Sequence, residues 1–260
     1  MRMVTKKDII NELTKMGLKE GDNVLCHISL SSMGYVLGGA QTVCEALLEI
    51  VKDSGTVMMP TQSWRNLDPE EGVHWEASKE EWDIIRAEFP AYDKFKTPTS
   101  TMGVCAELFR TFPNAYRSDH PARSFAAIGK YAKYLTDNHD LSNIFGEGSP
   151  LSKLYDLNGK VLLIGVLHDK NTSIHLADVR ANYESKHNVI CHSAILENGK
   201  RVWKAYETLY VDGEDFISLG ESFEKNNTIS YGKIGDASIR LMNQRELVDY
   251  AVSWIEKNRK

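Results

Sequence analysis

The chain has 260 residues, 42% of them hydrophobic and 26% charged, with a formal net charge of −5 at pH 7. That length suits a single α/β domain whose core needs no disulfide staples, and the acidic balance disfavours nucleic acid or an anionic membrane surface as partner. No stretch approaches the roughly 18 apolar residues of a membrane span, and the basic start Met1–Lys7 leads into polar, periodic sequence rather than a signal peptide, so a cytoplasmic protein is expected.

In chain order, Thr5-Lys6-Lys7-Asp8 predicts a capping box, and Ile9, Ile10, Leu13 and Met16 recur at helical spacing until Gly17 ends the helix. Asn23–Leu30 is short and apolar enough for a buried strand. A small-residue turn follows at Ser31-Ser32-Met33-Gly34, then Gly38-Gly39, a helix over Ala40–Lys52 and a strand over Thr56–Met59. Strand, Gly-rich turn, helix, strand is a βαβ pattern. Residues 68–93 hold nine carboxylates against Lys79 and Arg86, a net −7 in 26 residues. Two readings stay open for this acidic insertion at about 61–95: a solvated surface segment, or a wall that attracts a polycation. Gly159–Gly165 is a strongly apolar strand ending in the loop His168-Asp169-Lys170, and Asn171 caps a helix to about Asn182. Val189–Leu196 and Arg201–Val211 form a hairpin across Glu197-Asn198-Gly199-Lys200, and helices near 214–226 and 243–258 close the chain. Without a repeat or a linker, the chain reads as one domain. Cys26, Cys44, Cys105 and Cys191 are isolated among apolar residues, as packed, reduced thiols are.

Three constellations carry chemistry. The Ser31–Gly34 turn after a strand and before a helix lets backbone N–H groups approach a phosphate, although a plain structural turn has the same sequence. Arg117, His120, Arg123 and Ser124 lie within eight residues; arginine forks suit phosphate oxygens, and a surface Arg117–Asp119 pair is the alternative. His175 sits one turn into a helix beyond a buried strand, where open α/β sheets present reacting groups. Asp169 lies six residues earlier, and Asp178 shares the helix face at i+3. The eight histidines show no metal-ligand spacing, so no metal is expected.

These blocks, in this order, resemble the antibiotic N-acetyltransferase family: the aminoglycoside 3-N-acetyltransferases and their relatives. The resemblance covers nearly the whole chain. It rests on H-x-S-L-x-x-x-G at 27–34, G-G-A at 38–40, G-T-V-M-M-P at 55–60 and T-P-T-S-T-M-G at 97–103. It continues with R-S-D-H-P-x-x-S at 117–124, G-x-G-S-P at 146–150 and N-T-S-I-H-L-A-D at 171–178. It implies a mixed central sheet with helices on its faces, and acetyl transfer from acetyl-CoA to a primary amine, above all the 3-amino group of a 2-deoxystreptamine aminoglycoside. It also implies that His175 is the base and Asp169 its supporting carboxylate. The family usually carries Glu where this chain has Asp178, and some members add a later Glu, for which Glu207, Glu214 and Glu221 are eligible. CoA is expected on Ser31, Ser32, Met33 and Gly34, with Arg117, His120, Arg123 and Ser124. The oxyanion donors are expected among the Ser31–Gly34 backbone and the hydroxyls of Ser29, Ser31 and Thr172. The expected partner is a polycationic small-molecule amine, with room for a homo-oligomer. A different amine, or a CoA-binding homologue with little activity, is the alternative.

Overall fold

The computed structural model describes residues 3–71 and 76–260. Its centre is a seven-stranded mixed sheet built from β1 (Asn23–Ile28), β2 (Thr56–Pro60), β3 (Tyr116–Arg117), β4 (Phe125–Gly129), β5 (Lys160–Ile164), β8 (Ser230–Ile234) and β9 (Ala237–Asn243), with β6 (Asn188–Glu197) and β7 (Lys200–Leu209) forming a separate hairpin. The order is β3-β4-β2-β1-β5-β9-β8. The central pairs β1–β2 and β1–β5 are parallel and all others antiparallel.

The central strands are near-continuous apolar runs because both faces are covered. Alternation along each strand divides the core in two. Val24, Cys26, Val57, Met59, Leu162 and Ile164 point to one face, under helices α1 (Lys6–Lys15), α2 (Gly39–Val51) and, beyond the short α3 (Trp82–Glu88), α4 (Gly103–Phe109). Leu25, Met58, Val161 and Leu163 point to the other. There they meet α5 (Ala132–Thr136), α6 (Pro150–Asp156), α7 (Ile174–Arg180), α8 (Phe216–Asn226) and α9 (Gln244–Asn258).

Local signals translate directly. Thr5 and Asp8 close the expected capping box at the start of α1, a device worth about 1 kcal/mol. Asn198 (φ 52°) and Gly199 (φ 75°) make the two-residue turn of the expected hairpin with the positive dihedrals that such turns demand. The helix expected from Asn171 starts later, at Ile174, because the Asn171 Oδ1 accepts from the Ser173 N–H and turns the chain first. The strands β8 and β9, absent from the expected elements, form an antiparallel hairpin that adds an edge beside β5.

The acidic segment is not a free wall. Asp68 is buried and takes a fork from Arg86 at 2.7 and 3.0 Å. Glu71 accepts from the backbone and ring of His192 on β6. Arg201 on β7 returns two bonds to the Arg86 and Phe89 carbonyls. Part of its charge is thus used to clasp the segment to the hairpin; residues 72–75 lie outside the described residues. Among the described residues no helix is long and apolar enough to cross a membrane.

Helix α8 also packs on the loop before α7. Gly220 lies flat against the buried His168 ring, which would overlap any side-chain carbon placed there. Gly220→Ala is therefore expected to lower stability by about 1–3 kcal/mol, read as a fall in Tm; an unchanged Tm would contradict this packing.

Candidate active site

A cleft of about 590 Å³ opens at the carboxyl ends of β1, β2 and β5, the place where α/β sheets receive ligands. Each strand delivers part of its wall: β1 gives His27, Ile28 and Ser29; the segment after β2 gives Gln62 and Trp64; the loop after β5 gives Asp169–Thr172 and His175. The start of α4 closes another side with Thr101, Met102 and Gly103.

His175 is held from three directions. Its ring stacks on Phe145, with centroids 4.7 Å apart and planes 5° from parallel, and Phe216 lies 4.8 Å away at a tilt. Its Nδ1 bonds the Asp178 Oδ2 at 2.8 Å. Because a carboxylate only accepts, Nδ1 carries the proton and Nε2 keeps its lone pair. Asp178 is fully buried, and its other oxygen takes the Arg259 Nη1–H at 2.6 Å. Arg259 in turn forks onto Asp215, at 2.7 Å from both Nε and Nη2. Burial acts against the Arg259 charge, but the two carboxylates outweigh it and push its pKa above the usual arginine value.

This geometry corrects the support expected from the loop. Asp169 stands on the turn His168–Lys170, exposed at the cleft mouth, and pairs with Lys170 at 3.0 Å; Asp178 holds the imidazole instead. None of the eligible glutamates serves either: Glu207 is exposed and bonds Asn188, and Glu214 and Glu221 are exposed. A later glutamate, Glu224, instead bonds His168 at 2.9 Å and also takes Arg240 and Tyr231. That network braces the loop leading to His175.

The Arg117–Ser124 block divides. Arg117 is buried, with every side-chain nitrogen used: Nε to Ser124, Nη1 to the Lys94 and Thr97 carbonyls, Nη2 to Thr61 and Ser63. Ser124 donates to the Thr61 carbonyl at 2.8 Å. Neither has a donor free for a phosphate; together they tie the segment after β2 to β4. His120 is buried off the cleft wall; its Nδ1 accepts from the Ala122 and Arg123 N–H groups and caps a turn, and its Nε2 has no partner. Arg123 alone of the four lines the cleft, its guanidinium 3.6 Å from the centre of the Trp64 ring.

The Ser31–Gly34 turn borders the cleft through its neighbour Ser29, whose hydroxyl bonds Ser32 at 2.7 Å. Ser31 is exposed, Met33 is buried, and Gly34 takes φ 77°, a conformation that favours glycine. His27 joins the wall without having been singled out. It is buried with an unpartnered Nε2, and burial, then His168 and His175, push its pKa down to about 3. Its signal was its place at the end of an apolar strand. Among the described residues no group of three His, Cys, Asp or Glu side chains could hold a metal ion.

Fold and site together define an α/β protein with a carboxylate-held histidine open to a ligand-sized cleft. A family model described as aminoglycoside 3-N-acetyltransferase matches residues 25–256. The SPbeta prophage-derived aminoglycoside N(3')-acetyltransferase-like protein YokD of Bacillus subtilis (strain 168) is 43% identical over 256 residues, 98% of this chain and 93% of that protein. Its crystal structure matches with a TM-score of 0.95 at 42% identity, covering 99% of this chain and 95% of that one. The solved structure of AAC-VIa bound to sisomicin is 28% identical, with a TM-score of 0.90 and 99% of each chain covered. That of AAC-IIIb in binary complex with CoASH is 26% identical, with a TM-score of 0.88 and 99% and 98% covered. The chain belongs to the aminoglycoside 3-N-acetyltransferase family. It is an acyltransferase that takes its acyl group from acetyl-CoA and delivers it to a small-molecule amine.

The buried histidines set an acid limit on the fold. His139 donates from Nε2 to the Ile144 carbonyl and accepts the Ser118 hydroxyl at Nδ1; burial, partly opposed by the Ile144 bond, pushes its pKa down to about 4. His120 lies well below the usual value for the same first reason. An unfolded histidine takes up its proton near pH 6.5, so below that pH unfolding binds protons and acid favours it. Stability from these groups is complete above about pH 6.5 and is lost as pH falls toward 4. Tm is expected to drop between pH 7 and 5, and His139→Gln is expected to shrink that drop; an equal drop in the variant would contradict the assignment.

Proposed function

We propose that the protein acetylates the 3-amino group of an aminoglycoside, with His175 as general base and Asp178 as the group that orients it. The observation that carries this reading is the 2.8 Å bond from His175 to a fully buried aspartate, inside a cleft sized for a small molecule. The acceptor's free amine attacks the thioester carbonyl, forming C–N as C–S breaks. Nε2 of His175 takes a proton from the attacking nitrogen and returns it to the departing thiolate, so that an amide and the CoA thiol leave. Asp178 stabilises the imidazolium between those transfers, as the buried aspartate of a Ser-His-Asp set does. Arg259 holds Asp178 in place through its second oxygen.

CoA is assigned to the β1 side, where Ser29 lines the cleft and the short Leu30–Met33 turn follows it. The hydroxyls of Ser29 and Thr172, both on the cleft wall, are the donors for the thioester oxyanion. Support for an aminoglycoside acceptor comes from family membership and from the sisomicin held by AAC-VIa, rather than from the acidic segment, whose Asp68 and Glu71 are committed to internal contacts.

Turnover with acetyl-CoA and an aminoglycoside, followed by thiol release, tests the assignment. His175→Ala is expected to lower kcat about 10²–10⁴-fold with CoA affinity unchanged. Asp178→Asn should lower it in the same direction, and Asp169→Asn should leave it near wild type. Near-normal turnover in His175→Ala, or loss in Asp169→Asn with Asp178→Asn active, would overturn the reading.

A further inference from the structure

The cleft contains a cation that, among the described residues, nothing in its wall neutralises. Arg123 lies just before β4, where Phe125 pairs with Pro60 at the end of β2. Its guanidinium carbon lies 3.6 Å from the centre of the Trp64 ring, a contact that engages the cation's face but none of its edge N–H groups. Nη1 is buried without a hydrogen-bond partner. Among the described residues no carboxylate comes within ion-pair distance of it. The two acidic side chains of the cleft are engaged elsewhere: Asp169 with Lys170, and Asp212 with the Glu214 N–H. Arg86, Arg117 and Arg259 have their forks filled by Asp68, by carbonyls and hydroxyls, and by Asp215.

Burial pushes the Arg123 pKa down to about 10, which leaves it charged at neutral pH. Arg123 is partly buried, and a buried guanidinium nitrogen without a partner is costly. A planar fork fixed by a ring is preorganised to take a carboxylate by two parallel bonds. Its place decides whose carboxylate. The β1 turn is assigned to the donor and His175 follows β5, while Arg123 and Trp64 occupy the β2–β4 end of the same cleft, which is left to the acceptor.

From the unpaired, Trp64-stacked guanidinium in the acceptor end of the cleft, we infer that Arg123 is a carboxylate-binding subsite, and that the enzyme also acetylates primary amines bearing an acidic group. The inference rests on the His175 reading for the chemistry and goes beyond it in the acceptor. The transfer is the same: C–N forms, C–S breaks, and one amine proton passes through His175 to the CoA thiolate, while the carboxylate stays on Arg123 unchanged.

The test uses a matched pair, 4-(aminomethyl)benzoate and 4-(aminomethyl)benzamide, with acetyl-CoA and the full chain. Wild type is expected to prefer the benzoate in kcat/KM by about tenfold or more, the scale of a charged hydrogen-bonded contact. Arg123→Met should abolish that preference, with the loss appearing in the KM of the benzoate. Arg123→Lys, which keeps the charge but not the fork, should fall between. Calorimetric binding of 4-(aminomethyl)benzoate to the CoA complex of each variant gives a readout independent of turnover, so a failure of the His175 assignment would not mask the result. If Arg123→Met proves unstable, Arg123→Lys and the wild-type preference carry the test. The inference is overturned if wild type shows no preference, if the preference survives Arg123→Met, or if Arg123→Met weakens CoA instead, which would give the guanidinium to the donor's phosphates.

Discussion

Asp178 is a carboxylate with no exposure to solvent, one turn along a short helix, between an imidazole and a guanidinium. Stripping a carboxylate of water is costly unless its oxygens are both filled by charged or strongly polar donors. Here one oxygen takes the His175 Nδ1–H and the other takes Arg259, which is itself held by Asp215. The chain of contacts runs from α7 to the segment after α9 and on to the start of α8. The requirement to satisfy one buried charge therefore joins three separate stretches of chain and fixes the ring that faces the cleft.

The sheet supplies the other half of the constraint. Parallel β1, β2 and β5 end together, so the chain segments that follow them meet in one cleft. Antiparallel β4 begins at that same end, which brings Arg123 to it. Buried hydrogen bonding then separates residues that are neighbours in sequence. Arg117 and Ser124 are spent on the carbonyls of the segment after β2, His120 is spent on a turn, and Arg123 is left with a stacked face and open donors. The hairpin β6–β7 takes part from outside the sheet, through the contacts of Glu71 and Arg201.

Features that act over a few residues were legible in the sequence. The capping box at Thr5, the apolar runs of β1 and β5, the Asn198-Gly199 turn and the strand-end position of His175 each need only local chemistry. The family blocks pointed to the mixed sheet and the acyl transfer. Most of the failures share a cause: partners distant in sequence. Nothing near Arg117 announces that the carbonyls of residues 61, 94 and 97 will surround it. Asp169 is the exception: it stands on the exposed turn His168–Lys170 and pairs with its neighbour Lys170. The i+3 spacing of His175 and Asp178 was visible; the burial that makes it decisive depends on Arg259, 81 residues further on. Strands β8 and β9 were missed because β8 is short and contains Gly232, and because β9 pairs with the distant β5.

The central claim is that Asp178 fixes the proton of His175 on Nδ1 and leaves Nε2 bare. Nitrogen-15 NMR of histidine-labelled protein above neutral pH, with His175 assigned by its absence in His175→Gln, tests this most directly. A protonated Nδ1 and an unprotonated Nε2, with the order scrambled in Asp178→Asn, is the result the structure predicts. A wild-type His175 carrying its proton on Nε2, or one whose tautomer is indifferent to Asp178→Asn, would contradict it.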